Sequence, residues 1–287
     1  MSESPVSAPA VTEANGDQPL VADDMVTAPM AELSYQVHAL SSSQVHVVTI
    51  PPNAGYRIDV AVTADLTLLP EIAAQTGAIA AINAGFFDPQ NGLTTSYVVS
   101  NGERVADPQQ NPRLMENPDL APFLEAILDR SEFRVYDCEG AVQYAIARHS
   151  AQIPSGCTLE SAVGAGPQLL PTMTGYEEGF LADDAQGALV RDALGSRYPN
   201  ARSAIGLKAD GTVVLVVASQ RLDQEAPTGL SFDALAEFLH ELGVTSALNL
   251  DGGSSSGLFY QGETRYGRWN AEDNPVERPI KSILLVR

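Results

Sequence analysis

The sequence predicts one α+β domain over 33–287, built on a mixed, mostly antiparallel sheet with flanking helices. Three observations carry that prediction. Hairpin signals outnumber strand–helix–strand units, which argues against a doubly wound parallel sheet. Apolar runs are short, as in VVLVVA from Val213 to Ala218, and none approaches the roughly 18 residues of a bilayer span, so no membrane-spanning segment is expected. Hydrophobic residues make up 44% and charged residues 18%, the balance of a globular core rather than of a disordered chain.

Residues 1–32 are rich in Ser, Pro, Ala and Thr, carry six acidic and no basic residues, and show no apolar period, so a disordered acidic leader is expected. It lacks a positive segment followed by an apolar one, so no signal peptide is read in it. Such a leader suits a domain set apart from a secretion signal or anchor, and an extracytoplasmic location is expected. A β-meander follows, over Tyr35–Leu40, Gln44–Ile50 and Tyr56–Val62, with Pro51, Pro52, Asn53 and Gly55 as a turn. A helix is expected over Leu68–Thr76, stopped by Gly77, then an apolar strand over Ala78–Asn83. Tyr97–Val105 reads as a hairpin turned at Asn101-Gly102, because Asn-Gly supplies the positive φ of a type I′ turn. Pro118–Arg130 is amphipathic and expected to be helical.

The second half is more explicit. Ser203–Ser219 reads as a hairpin turned at Asp210-Gly211, with its second strand central in the sheet. Ser231 is an N-cap, Asp233 favours the first turn, and Phe232, Leu235, Ala236, Leu239 and Leu242 recur at helical spacing before Gly243. A strand over Ser246–Leu250 enters DGGSSSG. A tight turn at Tyr260–Glu263 and a closing strand at Ser282–Val286 complete the chain. Cys138 and Cys157 stand in no CxxC pair. They are either two buried thiols or a disulfide, which would contribute about 3 kcal/mol on the chain-entropy model.

The net charge of −20 excludes partners that need a basic stripe, so no nucleic-acid partner is expected. Four short segments could carry chemistry. INAGFFD, from Ile82 to Asp88, ends an apolar strand with Asn83 and Asp88 at its mouth, Gly85 at the turn and Phe86 as a wall. LNLDGGSSSG, from Leu248 to Gly257, could form an anion nest from the Gly252 and Gly253 amides and the Ser254 and Ser255 hydroxyls, although Asp-Gly-Gly is also an ordinary hairpin turn. ARSAIG places Arg202 before an apolar strand, and Arg suits bidentate recognition of phosphate or carboxylate. VERPIKS places Arg278 before the last strand.

Taken together these segments resemble the phosphodiester glycosidase family. The resemblance covers INAGFFD, GAGPQLL from Gly164 to Leu170, RSAIG with its hairpin, LSFDALAEFLHELGV leading to LNLDGGSSS, and the terminal ERP, in that order from about Ala78 to Arg287. It implies an α+β fold and hydrolysis of a sugar-1-phosphodiester to free sugar and a phosphomonoester, with a small-molecule or glycan phosphodiester as substrate. By motif it implies Asp251, Asp88, Asn83 and Arg202 as catalytic residues. It likewise implies Gly85, Phe86, Asn249, Gly252, Gly253, Ser254, Ser255 and Arg278 as substrate-binding residues. No cofactor is expected. The chain departs from the family pattern at Ser219-Gln220, where Asp-Gly is common, and in reading SSS after Gly252-Gly253, where a third glycine is common.

The residue types fit that chemistry. Breaking the anomeric C–O bond develops positive charge on the sugar and negative charge on a phosphate that leaves readily, so strong general-acid help is less needed than for an ordinary glycoside. The site must hold the phosphate and place a carboxylate at the anomeric carbon, with Asp251 the first choice and Asp88 the reserve. Two other classes compete. GSSSG matches GxSxG, but His38, His46, His149 and His240 all precede Ser255 and no helix is expected after it, as a serine-hydrolase elbow requires. A non-catalytic cell-surface module could bind glycan through the same pocket.

Overall fold

The computed structural model describes residues 1–2, 32–223 and 227–287. The leader expected over 1–32 lies, apart from its end residues, outside the described residues. In chain order the strands begin with β1 (Ser34–Ala39), β2 (Gln44–Ile50) and β3 (Ile58–Thr67), then helix α1 (Leu69–Thr76), then β4 (Ala80–Asn83), β5 (Val98–Ser100) and β6 (Glu103–Ala106). Two short helices, α2 (Pro112–Met115) and α3 (Leu124–Leu128), precede β7 (Ser131–Cys138), β8 (Ala141–Arg148), β9 (Cys157–Gly164), β10 (Gln168–Leu170), β11 (Leu181–Asp183) and β12 (Leu189–Asp192). The remainder is β13 (Arg202–Lys208), β14 (Val213–Ser219), α4 (Phe232–Glu241), β15 (Val244–Asn249), β16 (Gly257–Tyr260), β17 (Glu263–Tyr266) and β18 (Ile280–Val286).

Three sheets share one core. The first runs β1-β2-β14-β13-β15-β10, the second β17-β16-β4-β18-β3, the third β6-β5-β9-β7-β8, and every strand pair among them is antiparallel. Strand alternation explains the layering. Val48, Ile205, Leu215 and Leu248 of the first sheet face Ile82, Leu258, Leu284 and Val286 of the second, joined by Val98, Phe133 and Val163 of the third. The opposite face of the first sheet, through Val47, Ala204, Val214 and Val216, takes Phe232, Leu235 and Leu239 of α4. The opposite face of the second, through Ala81, Ile283 and Leu285, takes Leu69, Ile72 and Ala73 of α1. The flanking helices are thus few, one on each outer face.

Most local expectations hold. Gly77 ends α1 at φ 67° and donates to Ala73 O and Ala74 O, and Ser231 Oγ accepts from Ala234 N at the start of α4. Asn101 and Gly102 turn the β5–β6 hairpin with φ 52° and 76°. Two expectations are corrected. The segment after Pro51-Pro52 does not close a meander: β3 pairs with β18 in the second sheet, and β14 takes the free edge of β2. The apolar β14 is buried on both faces and is satisfied only between two neighbours, β2 and β13. The helix expected over Pro118–Arg130 is reduced to a 3-10 turn at Ala121–Phe123 and the five residues of α3. Pro122 has no N–H for an α-helical bond. Of the two open readings for the cysteines, the disulfide is the one formed, joining Cys138 of β7 to Cys157 of β9 across a register pair.

Candidate functional site

The two glycine corners anticipated in the sequence emerge side by side. Strand β15 pairs with β13 of its own sheet, and its exit crosses to the second sheet: Leu250 N donates to Ser203 O (2.9 Å), and Asp251 N donates to Ala84 O just past β4 (2.8 Å). Asn83, at the end of β4 and 1% exposed, secures the crossing. Its Nδ2 donates to Asp251 O, while its Oδ1 accepts from Ser203 Oγ (2.7 Å) and Gly257 N (3.1 Å). Every polar atom of this amide is spent on positioning, so its contribution is to hold the backbone that carries Asp251.

A cavity of about 210 Å³ opens at this crossing, lined by Phe86, Ala193, Leu194, Asn200, Arg202, Asn249, Asp251, Gly252 and Gly253. It lies below the roughly 300–1,000 Å³ of drug-sized sites and has room for one small group. The larger cavities of the fold, about 690 and 700 Å³, contain none of the residues expected at the site. Among the described residues Asp251 is the only acid lining the small one. Burial pushes its carboxyl up to about 6, against the opposing pull of a hydrogen bond from Ser255, the nearby Arg278 guanidinium and the Gly252 N–H (3.0 Å). Arg278 donates to Ser254 Oγ (2.7 Å) and lies over the Phe87 ring at 5.2 Å. Ser254, Ser255, Asp251 and Arg278 therefore form one connected group.

Arg202 is 3% exposed and is used differently from the expectation. Its Nε donates to Leu230 O (3.1 Å), one terminal nitrogen to Leu194 O (3.0 Å), and the other to Gly195 O (2.7 Å) and Tyr198 O (3.0 Å). Three of its five N–H donors thus strap the 193–201 loop beside the cavity and a fourth ties to Leu230, leaving one N–H without a partner among the described residues. Burial pulls its pKa down to about 10, with Asp192 acting the other way. Asn249 donates to Gly166 O (2.8 Å) while its buried Oδ1 has no hydrogen-bond partner among the described residues.

Three expected features are corrected. The amide nest is not open: Gly252 N bonds Asp251 Oδ1, and Gly253 N bonds Ala201 O (2.8 Å). Gly85 packs rather than binds, since a Cβ there would meet Gly164 O at 2.8 Å. Asp88 does not reach the cavity. Its carboxylate caps a surface turn through Gln90 N (2.8 Å) and pairs with Arg113 Nε (2.6 Å). What burial there is would raise its pKa, but the Gln90 amide and Arg113 outweigh it and hold it below the usual range. Ser219 is likewise outside the cavity; its Oγ donates to Tyr266 O (3.2 Å) and its carbonyl accepts from Ser43 Oγ (2.8 Å).

Sequence reading missed Ala193, Leu194 and Asn200, whose only local signal is proximity to ARSAIG. It also missed Glu178, fully buried, which accepts from Ser131 N and Oγ, Gln168 N and Thr174 Oγ1 and so holds the turn whose Gly166 O receives Asn249. None of the four histidines lines the cavity, so Ser255 has no imidazole base there. Among the described residues no group of three or more metal-ligating side chains stands together, and no helix is long and apolar enough to cross a membrane.

Antiparallel sheets on a shared core, with a small cavity lined by Asp251 and Arg202 where the exits of β15 and β4 meet, define a strand-rich, mostly antiparallel domain. The phosphodiester glycosidase family model matches residues 76–287, and the chain belongs to that family of glycosidase-type hydrolases. Solved structures share the fold. The zebrafish N-acetylglucosamine-1-phosphodiester alpha-N-acetylglucosaminidase catalytic domain, auto-inhibited by pro-peptide, aligns with a TM-score of 0.66 and 16% identity over 91% of this chain and 85% of that one. A hypothetical protein from Synechocystis aligns with a TM-score of 0.57 and 19% identity, covering 88% of this chain. This chain spans 61% of the Synechocystis protein's length. A putative exported protein from Burkholderia pseudomallei aligns with a TM-score of 0.53 and 18% identity, over 85% and 74% of the two chains. No curated protein matches.

Proposed function

We propose that the protein cleaves the glycosidic bond of a sugar-1-phosphodiester, giving free sugar and a phosphomonoester, with Asp251 as the carboxylate at the anomeric carbon. The observation that carries this reading is the cavity's single acid, raised to about 6 by burial and flanked by the Arg278–Ser254 pair. Ordinary glycosidases set two carboxylates across the bond, one as acid. A phosphate leaving group needs little protonation, so one carboxylate and a cation suffice. The C–O electron pair departs on the phosphate oxygen, where Arg278 and Ser254 stabilise it. Asp251 either bonds the anomeric carbon or takes a proton from the attacking water. Arg202 and Asn83 act as positioning residues, and Phe86 and Leu194 wall the sugar.

The Cys138–Cys157 disulfide supports an extracytoplasmic location, since disulfides persist in oxidising compartments. The charge of −20 supports a small phosphodiester rather than a nucleic acid as partner. A steady-state assay over a panel of sugar-1-phosphodiesters tests the reading: sugar and phosphomonoester appear together, and Asp251→Asn abolishes their release. Saturable binding across the panel with no product would show a glycan-binding module instead, and near-normal turnover by Asp251→Asn would remove Asp251 from the chemistry.

A further inference from the structure

In a chain with 36 acids and 16 bases, two neighbouring arginines that form no ion pair among the described residues call for explanation. Arg130, just after α3, and Arg191, in β12, converge on the turn at Glu178-Gly179. Arg130 Nε donates to Glu178 O (3.2 Å) and Arg191 Nε to Gly179 O (2.9 Å), consecutive carbonyls of one backbone. Each guanidinium is also held by an aromatic face, Arg130 at 3.7 Å from the Phe180 ring centroid and Arg191 at 4.4 Å from that of Phe123. Gly179 adopts φ 68°, which favours glycine, and a Cβ there would sit tightly against Phe123 and Ala126 at 3.3 Å.

The terminal nitrogens are left over. Among the described residues none of the four makes a hydrogen bond or an ion pair, whereas Arg134, Arg148, Arg221, Arg265 and Arg287 all pair with carboxylates. The acids close by are occupied: Glu178 by Ser131, Gln168 and Thr174, and Asp129 by Arg148 (3.1 Å). Two like charges are thus held near each other by rigid anchors. Burial, partly offset by Glu178, and the neighbouring Arg191 pull Arg130 down to about 9, so both remain charged at neutral pH. Repulsion maintained by aromatic and backbone clamps is relieved by an anion that takes two forks at once. Arg130 also lies 5.9 Å from the Phe86 ring, the wall of the Asp251 cavity.

We propose that Arg130 and Arg191 together form a binding site for a phosphoryl group, distinct from the Asp251 cavity and bordering it at Phe86. Titration calorimetry of the full chain with inorganic phosphate at low ionic strength tests it without any turnover, so its outcome stands apart from the assignment of Asp251. Wild type binds saturably, and Arg130→Ala/Arg191→Ala loses at least tenfold in affinity. Arg130→Lys and Arg191→Lys, which keep charge but not the fork, each lose severalfold and serve if the double variant fails to fold. Arg278→Ala leaves this binding in place. Absence of phosphate binding by the wild type, unchanged binding by the double variant or by both lysine variants, or loss in Arg278→Ala instead, would overturn the proposal.

Discussion

The two strand-to-glycine corners look alike in sequence, each an apolar strand ending in Asn and leading within a few residues to Gly and Asp, yet they do opposite work. The corner after β15 turns Asp251 inward, where burial raises its pKa to about 6 and a cavity lies in front of it. The corner after β4 turns Asp88 outward, where Arg113 and a turn amide hold its pKa low. One carboxylate is kept at a cost to the fold; the other contributes modestly to it. The difference teaches that the chemical potential of an aspartate is set by what surrounds it and not by the motif that carries it.

The sharpest way to break the comparison is turnover. Asp251→Asn is expected to lower kcat by roughly 10³-fold or more, while Asp88→Asn stays within a few-fold, measured on whichever sugar-1-phosphodiester the wild type accepts. Equal losses would mean that both corners feed the reaction. Next in size is the link between them. Asn83→Ala leaves Ser203 Oγ, Gly257 N and Asp251 O without partners in the interior, and is expected to cost about 2–4 kcal/mol in urea denaturation. A near-neutral result would separate the corners mechanically.

Stability against pH sharpens the contrast by sign. The folded pKa of Asp251 is raised above its ordinary 3.8, so the folded state binds more protons between about pH 4 and 6, and stability drops as pH rises through that window. Asp251→Asn is therefore expected to be about 1–3 kcal/mol more stable than wild type at pH 8, and no more stable at pH 4. Asp88→Asn carries the opposite sign, losing less than about 1 kcal/mol near neutrality because a carboxylate with a lowered pKa stabilises the fold only while ionised. Thermal melts at the two pH values decide both. The smallest effect is a shift of the activity profile: kcat/KM rises through pH of about 6 as Asp251 ionises, and Arg278→Ala, which removes one of the groups holding that pKa down, moves the rise upward by roughly one unit.

Much of the fold was legible because its signals are local. Gly77, Asn101-Gly102, Ser231 and Gly243 act within one turn of chain, and the structure places caps and turns at each of them. The strands of 131–164 were not read, since β7 and β9 are held by pairing with each other and by a disulfide whose formation depends on that register. The site divides the same way. Phe86, Asn249, Asp251, Gly252 and Gly253 lie at or just past strand exits and line the cavity, whereas Gly85 is a close contact with Gly164. Arg202 was found by type but not by task, because the carbonyls that take its donors come from the loop at 194–198 and from Leu230.

By itself the amino-acid sequence determined the family, the positions of the glycine corners, and a net charge of −20. These follow from residue type and near-neighbour spacing, which a chain carries before it folds. Only the tertiary structure decided which aspartate lines the cavity, which amides are already spent, and which arginines form no ion pair among the described residues. Those outcomes depend on segments as far apart as Asn83 and Gly257, and on Arg130 and Arg191, brought together by packing. Desolvation and hydrogen-bond satisfaction are properties of that assembled interior.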